Sequence, residues 1–194
     1  DSKRISGEES RRFVHKLRND YDAILIGKNT LIKDNARLNC RLDGGVDPLR
    51  IILANDLNFD KNLEIFKLDS DKDTIIATSS NAELSVNAKN LRLGEKNGQV
   101  DLEDLLAKLY QMNISSILVE GGSLINTSFL ESDLVDKIYE FVSPIVVGGV
   151  DSRSAFLGQG SSEIRNAKKF EIINLERFGE DIMIEVNNVY RNIY

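Results

Sequence analysis

Apolar residues fall in two rhythms along this chain, and each change of rhythm marks an element. Short unbroken runs, DAILIG at residues 22–27, LRIILA at 49–54, TIIAT at 74–78 and ILV at 117–119, have the pattern of strands covered on both faces. Elsewhere apolar positions recur at helical spacing. Leu102, Leu105, Leu106 and Leu109 stand at i, i+3, i+4 and i+7 behind Asp101, which opens a helix. Phe13, Val14 and Leu17 form the stripe of an earlier helix, predicted from about Gly7 to Arg18 and announced by the capping box of Ser6 and Glu9. Arg11, His15 and Arg18 share a neighbouring face of that helix.

The segments between these elements are polar. Residues 29–33 read as a short helical turn and 34–41, DNARLNCR, as a loop. Gly44, Gly45 and Pro48 mark a turn. The stretches after the 49–54 and 74–78 runs lack periodicity and read as surface loops, with one weaker strand near Leu91 to Leu93. Residues 137–143 read as a strand stopped by Pro144, with 145–149 as a short continuation into a double-glycine turn. Residues 151–163, rich in Ser and Gly, are expected to form a mobile loop. Two last strands, 169–177 and 181–186, meet at Gly179 as a hairpin. Strands that alternate with helices and end in a hairpin argue for an α/β sheet, parallel in its middle and antiparallel at one edge.

Composition narrows the function classes. With 194 residues, 41% of them apolar and 29% charged, the chain suits one soluble domain over residues 1–194. Its 25 basic residues against 31 acidic ones give a net charge of -6, with the basic residues dispersed, which argues against a nucleic-acid or anionic-membrane surface. One cysteine, Cys40, and one histidine, His15, exclude an internal disulfide and leave too few soft ligands for zinc, so no metal site is expected. No run approaches the ~18 apolar residues that span a bilayer. Cytoplasm is the expected compartment.

The chemistry concentrates in residues 114–128, ISSILVEGGSLINTS. A buried strand ends on Glu120, passes through Gly121 and Gly122, and enters a helix. Such a start suits an anion, which can approach backbone amides without meeting a Cβ. On the motif alone, an anion cradle and a plain turn carry equal weight. The 34–41 loop brings Asp34, Arg37 and Arg41 close to the end of another strand, and ligands of open α/β sheets gather at carboxyl ends of strands. Neither G-x-G-x-x-G nor a Walker lysine is present. Taken alone, Arg18 is either a helix C-cap or a ligand residue, Asp34 either a turn terminator or a functional acid, and Thr30 either a surface hydroxyl or a ligand. Cys40 reads as a small apolar filler and His15 as a surface or partner-facing residue.

Taken together, DSKRISGEESRRFVHKLR at residues 1–18, DAILIGKNTLIKDNARLNCRL at 22–42, PLRIIL at 48–53, ILVEGGSLINTSFL at 117–130 and LVDKIYEFVSPIVVGG at 134–149 resemble the reductase domain of riboflavin biosynthesis. That domain is the carboxyl-terminal half of the bifunctional deaminase/reductase and has free-standing relatives. The resemblance implies a dihydrofolate-reductase-like α/β fold of three layers, with a mixed, mostly parallel central sheet and a C-terminal hairpin. It implies a cytoplasmic homodimer that uses NADPH to reduce the ribose of 5-amino-6-(5-phosphoribosylamino)uracil to a ribityl chain, with hydride transfer to C1′. The alternatives are the same reduction on the non-deaminated 2,5-diamino-6-ribosylaminopyrimidinone 5′-phosphate, or a non-catalytic fragment that binds nucleotides or dimerises.

By the same resemblance, substrate ligands fall on Ser2, Arg18, Leu38, Arg41 and Glu120, and Asp34 and Glu120 are the catalytic candidates. Cofactor ligands fall on Arg4, Thr30, Asp34, Asn55 and the run Gly122, Ser123, Leu124, Ile125, Asn126, Thr127 and Ser128. The family also carries a strand with a motif resembling SLDGK ahead of the position of Asp1, so part of the site, and possible attachment to a deaminase domain, are expected upstream. Arg4 stands where bacterial members often have tryptophan, and Ala54 with Asn55 where aspartate and serine are frequent. Ala36 replaces a frequent proline, which implies a looser loop.

Overall fold

The computed structural model describes residues 5–149, 154–158 and 160–189. Its two compact units are considered separately: residues 15–125, and the described residues up to Val14 together with those from Asn126 onward.

In the first unit the four apolar runs become strands at the expected places: β1 (Ala23–Gly27), β2 (Leu49–Leu53), β3 (Thr74–Thr78) and, after a weaker β4 (Lys89–Arg92), β7 (Ile117–Gly121). They pair in the order β4-β3-β2-β1-β7, and every pairing is parallel. A parallel sheet needs both faces covered, and β1 and β3 are buried along their whole length. Arg50 is tolerated within buried β2 because its guanidinium donates to Thr74, Ser70, Asp47 and the Lys72 carbonyl. Helix α3 (Leu102–Gln111) begins at Asp101, whose carboxylate accepts from the Glu103 and Asp104 amides. It buries Leu102, Leu105 and Leu109. A small ribbon of β5 (Glu95–Lys96) and β6 (Gln99–Val100) turns at Asn97 and Gly98, both with positive φ, a hairpin signal the periodicity did not show.

One expectation for this unit fails. The aperiodic stretch after β2 is not a surface loop: Leu57, Phe59, Leu63, Ile65 and Phe66 are buried with Ile24, Ile26, Leu31 and Leu38 in one core cluster. Irregular backbone carries apolar side chains inward without repeating spacing, so a period-based reading misses it.

In the second unit, β8 (Lys137–Val142), β9 (Phe170–Phe178) and β10 (Asp181–Asn188) form a three-stranded antiparallel sheet with β10 in the middle. The antiparallel pairing anticipated for the hairpin is present, and it extends to β8. One face of this sheet holds Tyr139, Phe141, Met183 and Phe178, and Phe13 of helix α1 (Glu8–Asp20) packs on the three rings at centroid distances of 5.9, 6.0 and 5.0 Å. The α1 amino end is tied to the hairpin: the Gly7 amide donates to Asp181 Oδ2 at 2.7 Å, and Ser10 Oγ donates to the same oxygen. Residues 145–149 do not continue as a strand, and Val146 stands exposed. Of the 151–163 loop, residues 151–153 and 159 lie outside the described residues.

Candidate functional site

Because β1 and β7 run in parallel with Ile26 opposite Gly121, Gly27 and Gly121 close the same end of the sheet. Two short helices leave from that end. One is α2 (Lys28–Asp34), directly after β1, and the other is α4 (Ser123–Glu131), directly after the diglycine.

Gly121 and Gly122 both have positive φ, 74° and 94°, so the bend requires residues without a Cβ. A Cβ on Gly122 would meet Thr30 Oγ1 at 2.6 Å. The Thr30 hydroxyl therefore occupies the space above the second glycine, and it also lies 3.4 Å from the Gly121 carbonyl. Ile125 packs on Gly27, where a Cβ would stand 3.0 Å from its Cγ1, so the first turn of α4 lies close against the end of β1. Leu124 is exposed. Two side-chain-free residues and the positive end of a helix dipole meet here beside a hydroxyl that donates to the Gly121 carbonyl, and the helix end has the polarity that suits a phosphate.

Beside this bend stands an ion pair. Arg18, in the last turn of α1, reaches Glu120 with both prongs of its fork: Nε donates to Oε1 at 2.7 Å and Nη2 to Oε2 at 2.6 Å. Nη1 donates to the Asn39 carbonyl at 3.1 Å. The two side chains are 14% and 21% exposed, so little water competes with the pair. The fork anticipated for a phosphate is thus occupied by a carboxylate. Three of the five guanidinium N–H groups are used here and two remain for a ligand. Nor does the side chain merely cap its helix, since it joins α1, β7 and the loop after α2.

That loop is pinned along its length, contrary to the looseness expected from Ala36. Asn35 ends α2 in the left-handed conformation and its Oδ1 accepts from the Glu64 amide at 2.9 Å. Arg37 donates to Glu64 at 2.6 Å. The Cys40 amide donates to Asp47 Oδ1 at 2.8 Å. Leu38 is 2% exposed and has a φ of 58°, so a strained backbone is held in place by a side chain committed to the core. Only its backbone is left for a ligand. Arg41, three residues on, is exposed. Asp34, the last residue of α2, is exposed as well.

Other anticipated residues are less engaged. Asn55 is exposed just past β2, where the neighbouring Asp56 accepts from Lys28, whose ammonium lies 4.7 Å from the centre of the Phe59 ring. In the second unit, Asn126 Nδ2 donates to the Ala155 carbonyl at 3.0 Å, and Thr127 Oγ1 accepts from the Leu157 amide at 2.9 Å. Both side chains are therefore taken up by the 154–158 segment. Ser128 sits in the same turn as Asn126 and Thr127, and its carbonyl accepts from the Ser132 amide at 3.1 Å. Ser2 and Arg4 lie outside the described residues. Among the described residues, no group of three or more His, Cys, Asp and Glu side chains is placed to hold a metal.

His15 was expected at the surface or facing a partner. It is half-buried rather than at the surface, with its carbonyl 3.5 Å from Cys40 Sγ and Nδ1 buried without a hydrogen-bond partner. Burial holds its imidazole below the ordinary histidine value, aided by the charges of Arg18 and Arg41 and opposed by Glu120 and a hydrogen bond to the Asn39 backbone. The i, i+3 spacing from Arg18 was the available signal.

Comparison with known proteins fits this geometry. The family model described as the RibD C-terminal domain matches residues 1–184. The riboflavin biosynthesis protein RibD of Actinobacillus pleuropneumoniae is 35% identical over 95% of the chain, which spans 51% of that protein's length. The 2,5-diamino-6-ribosylamino-4(3H)-pyrimidinone 5′-phosphate reductase of Methanothermobacter thermautotrophicus is also 35% identical over 95% of the chain, which here spans 88% of the relative. A diaminohydroxyphosphoribosylaminopyrimidine deaminase/5-amino-6-(5-phosphoribosylamino)uracil reductase from Thermotoga maritima superposes with a TM-score of 0.80 at 31% identity, over 97% of this chain and 51% of that one. Its likeness supports the dihydrofolate-reductase-like α/β fold anticipated above. The chain belongs to the RibD C-terminal domain family.

Proposed function

We propose that this chain is an oxidoreductase of riboflavin biosynthesis that uses NADPH to reduce the ribose of a 5-phosphoribosylaminopyrimidine to a ribityl chain. The observation that carries the reading is the Arg18–Glu120 pair, which ties a polar loop bearing Arg41 to the strand end that opens into the diglycine bend. Two anion-binding devices thereby sit at one end of one parallel sheet, where such sheets take their ligands.

The residues at the bend suit a pyrophosphate: the α4 amino end provides polarity of the right sign, and the Thr30 hydroxyl, packed on Gly122, lies at its edge. Thr30, Asp34, Asn55 and the α4 run from Gly122 to Ser128 would hold the cofactor, which supplies a hydride when bound. Arg41 and the two remaining Arg18 donors grip the 5′-phosphate. Glu120, held in orientation by Arg18, accepts from sugar hydroxyls or pyrimidine amines. As C1′ becomes reduced, the nitrogen bonded to it takes up a proton, and exposed Asp34 is the group placed to relay one. Ser2, Arg4 and the Leu38 backbone complete the proposed ligand set.

The uracil is the first-choice substrate. The diaminopyrimidinone is the second reading, favoured by relatives named for that substrate of which this chain spans 88%, 74% and 86%. Rates on the two pyrimidines side by side, read as loss of NADPH absorbance, separate these readings. Oxidation of NADPH with neither compound would refute both and leave the non-catalytic fragment.

We propose further that residues 1–194 act as one reductase domain, a reading supported by a family match that runs through both units. A deaminase half upstream is tested by the reading frame before Asp1. Two copies are proposed to pair through the second face of the antiparallel sheet. Strand register sets Val142 beside Ile182, Leu175 beside Ile184 and Ile172 beside Val186 on that face, away from Phe141 and Met183. Among them Ile172 is 63% and Leu175 62% exposed.

A further inference from the structure

Two buried polar atoms lack a hydrogen-bond partner within the unit that carries the proposed ligand site: Nδ1 of His15 and Oδ1 of Asn39. Arg18, one turn further along the helix, holds the Asn39 carbonyl, and the Cys40 thiol meets the His15 carbonyl, so His15 lies against the loop that leads to Arg41. In the neutral tautomer that carries its proton on Nε2, Nδ1 is a bare acceptor. Asn39 Oδ1 is a second bare acceptor. Buried acceptors without donors are costly, and a single added proton on Nδ1 turns one of them into a donor.

The charges around the ring determine when that proton arrives. Arg18 on its own helix and Arg41 on the loop after α2 bring positive charge to it, Glu120 at the end of β7 brings negative charge, and the Cys40 thiol lies at its carbonyl. In the free protein two guanidinium groups outweigh one carboxylate, and burial adds to their effect. A phosphate dianion seated on the two arginines reverses that balance.

We propose that His15 is a third cationic group of the phosphate site, neutral in the free protein and protonated from solvent when a phosphate dianion docks on Arg18 and Arg41. This rests on the reading of those arginines as phosphate ligands. His15 thus acts as a proton-linked affinity residue and not as a participant in the hydride step. Binding favours the protonated ring, so affinity must fall as pH rises.

Because the chain holds one histidine, its ring resonance can be followed without assignment. The probe is ribose 5-phosphate, whose phosphate is dianionic above its second ionisation near pH ~6. In the full chain, the midpoint of the His15 titration is expected to rise on saturation with the probe. Between pH 7 and pH 9, affinity is expected to fall by roughly two- to threefold, the part of the proton-linked gain that lies above neutral pH. His15→Gln should bind like the wild type at pH 9 and lose the pH dependence. Reading the ring itself separates this from titration of Cys40. If the probe binds, Arg41→Ala abolishes binding, and the His15 midpoint stays put, the inference is overturned and the phosphate site stands. If no binding depends on Arg41, both fall together. Should His15→Gln not fold, the wild-type midpoint with and without probe still decides.

Discussion

The parallel and antiparallel sheets treat their apolar residues in opposite ways. In the parallel sheet, β1 and β3 have no exposed position, and irregular chain after β2 joins the core that covers them. In the antiparallel sheet, one face is filled by Phe13 and the other leaves Ile172 and Leu175 open. The first unit covers its apolar runs within itself, and the residues proposed as ligands stand at its strand ends. The second uses Asp181, Asn126 and Thr127 to hold its own segments and leaves an apolar face exposed, the one proposed above to meet a second copy. Variants at the ends of the parallel strands should therefore change ligand handling, and variants in the antiparallel sheet should change assembly or stability.

The largest effect is expected at Glu120. Glu120→Gln removes the partner of a mostly buried guanidinium and loosens the loop that carries Arg41, so kcat/KM should drop by roughly 100-fold, about 2–3 kcal/mol. A loss under threefold would separate the ion pair from function. Arg41→Ala should raise the substrate KM by about 10- to 100-fold, from ~1.5–3 kcal/mol for one charged contact, and leave the NADPH Kd nearly unchanged. Equal losses for both ligands would refute the division of labour at the strand ends.

In the other unit, the pair Ile172→Asp with Leu175→Asp should weaken self-association at least tenfold in sedimentation while each chain keeps its thermal midpoint. A monomeric wild type would remove the proposed second copy. Gly122→Ala is smaller: a φ of 94° and the Thr30 hydroxyl cost roughly 1–2 kcal/mol, so the cofactor Kd should rise several-fold to about 30-fold with the substrate KM steady.

The contrast between units also explains what was legible in the sequence. Buried parallel strands announce themselves as unbroken apolar runs, and all four runs became strands. The diglycine bend was visible because only glycine takes those φ values in succession. Leu57, Phe59 and Phe66 were not, because they reach the core from irregular chain. Arg18 was singled out, yet its engagement with Glu120 spans 102 residues and no local spacing encodes it. The partial burial of His15 was hidden for the same reason: its neighbours Arg41 and Glu120 come from other elements.

The smallest expected effect concerns Asp181, buried at 2% exposure in the antiparallel unit. Hydrogen bonds from Ser10, Ser143 and the Gly7 amide hold its carboxyl below the usual aspartate value. Its charge also suits the amino end of α1. A group whose folded value is depressed stabilises fully above the unfolded value and loses that contribution as pH falls through the folded one. Asp181→Asn should therefore cost about 1 kcal/mol at pH 7, read as a lower urea midpoint. The gap between wild type and variant should close as pH drops below ~4, the unfolded aspartate value. A gap that is constant from neutral pH into that range would mean the side chain acts through shape alone. The antiparallel unit would then owe its hold on α1 to the Phe13 cluster and not to the charged tie.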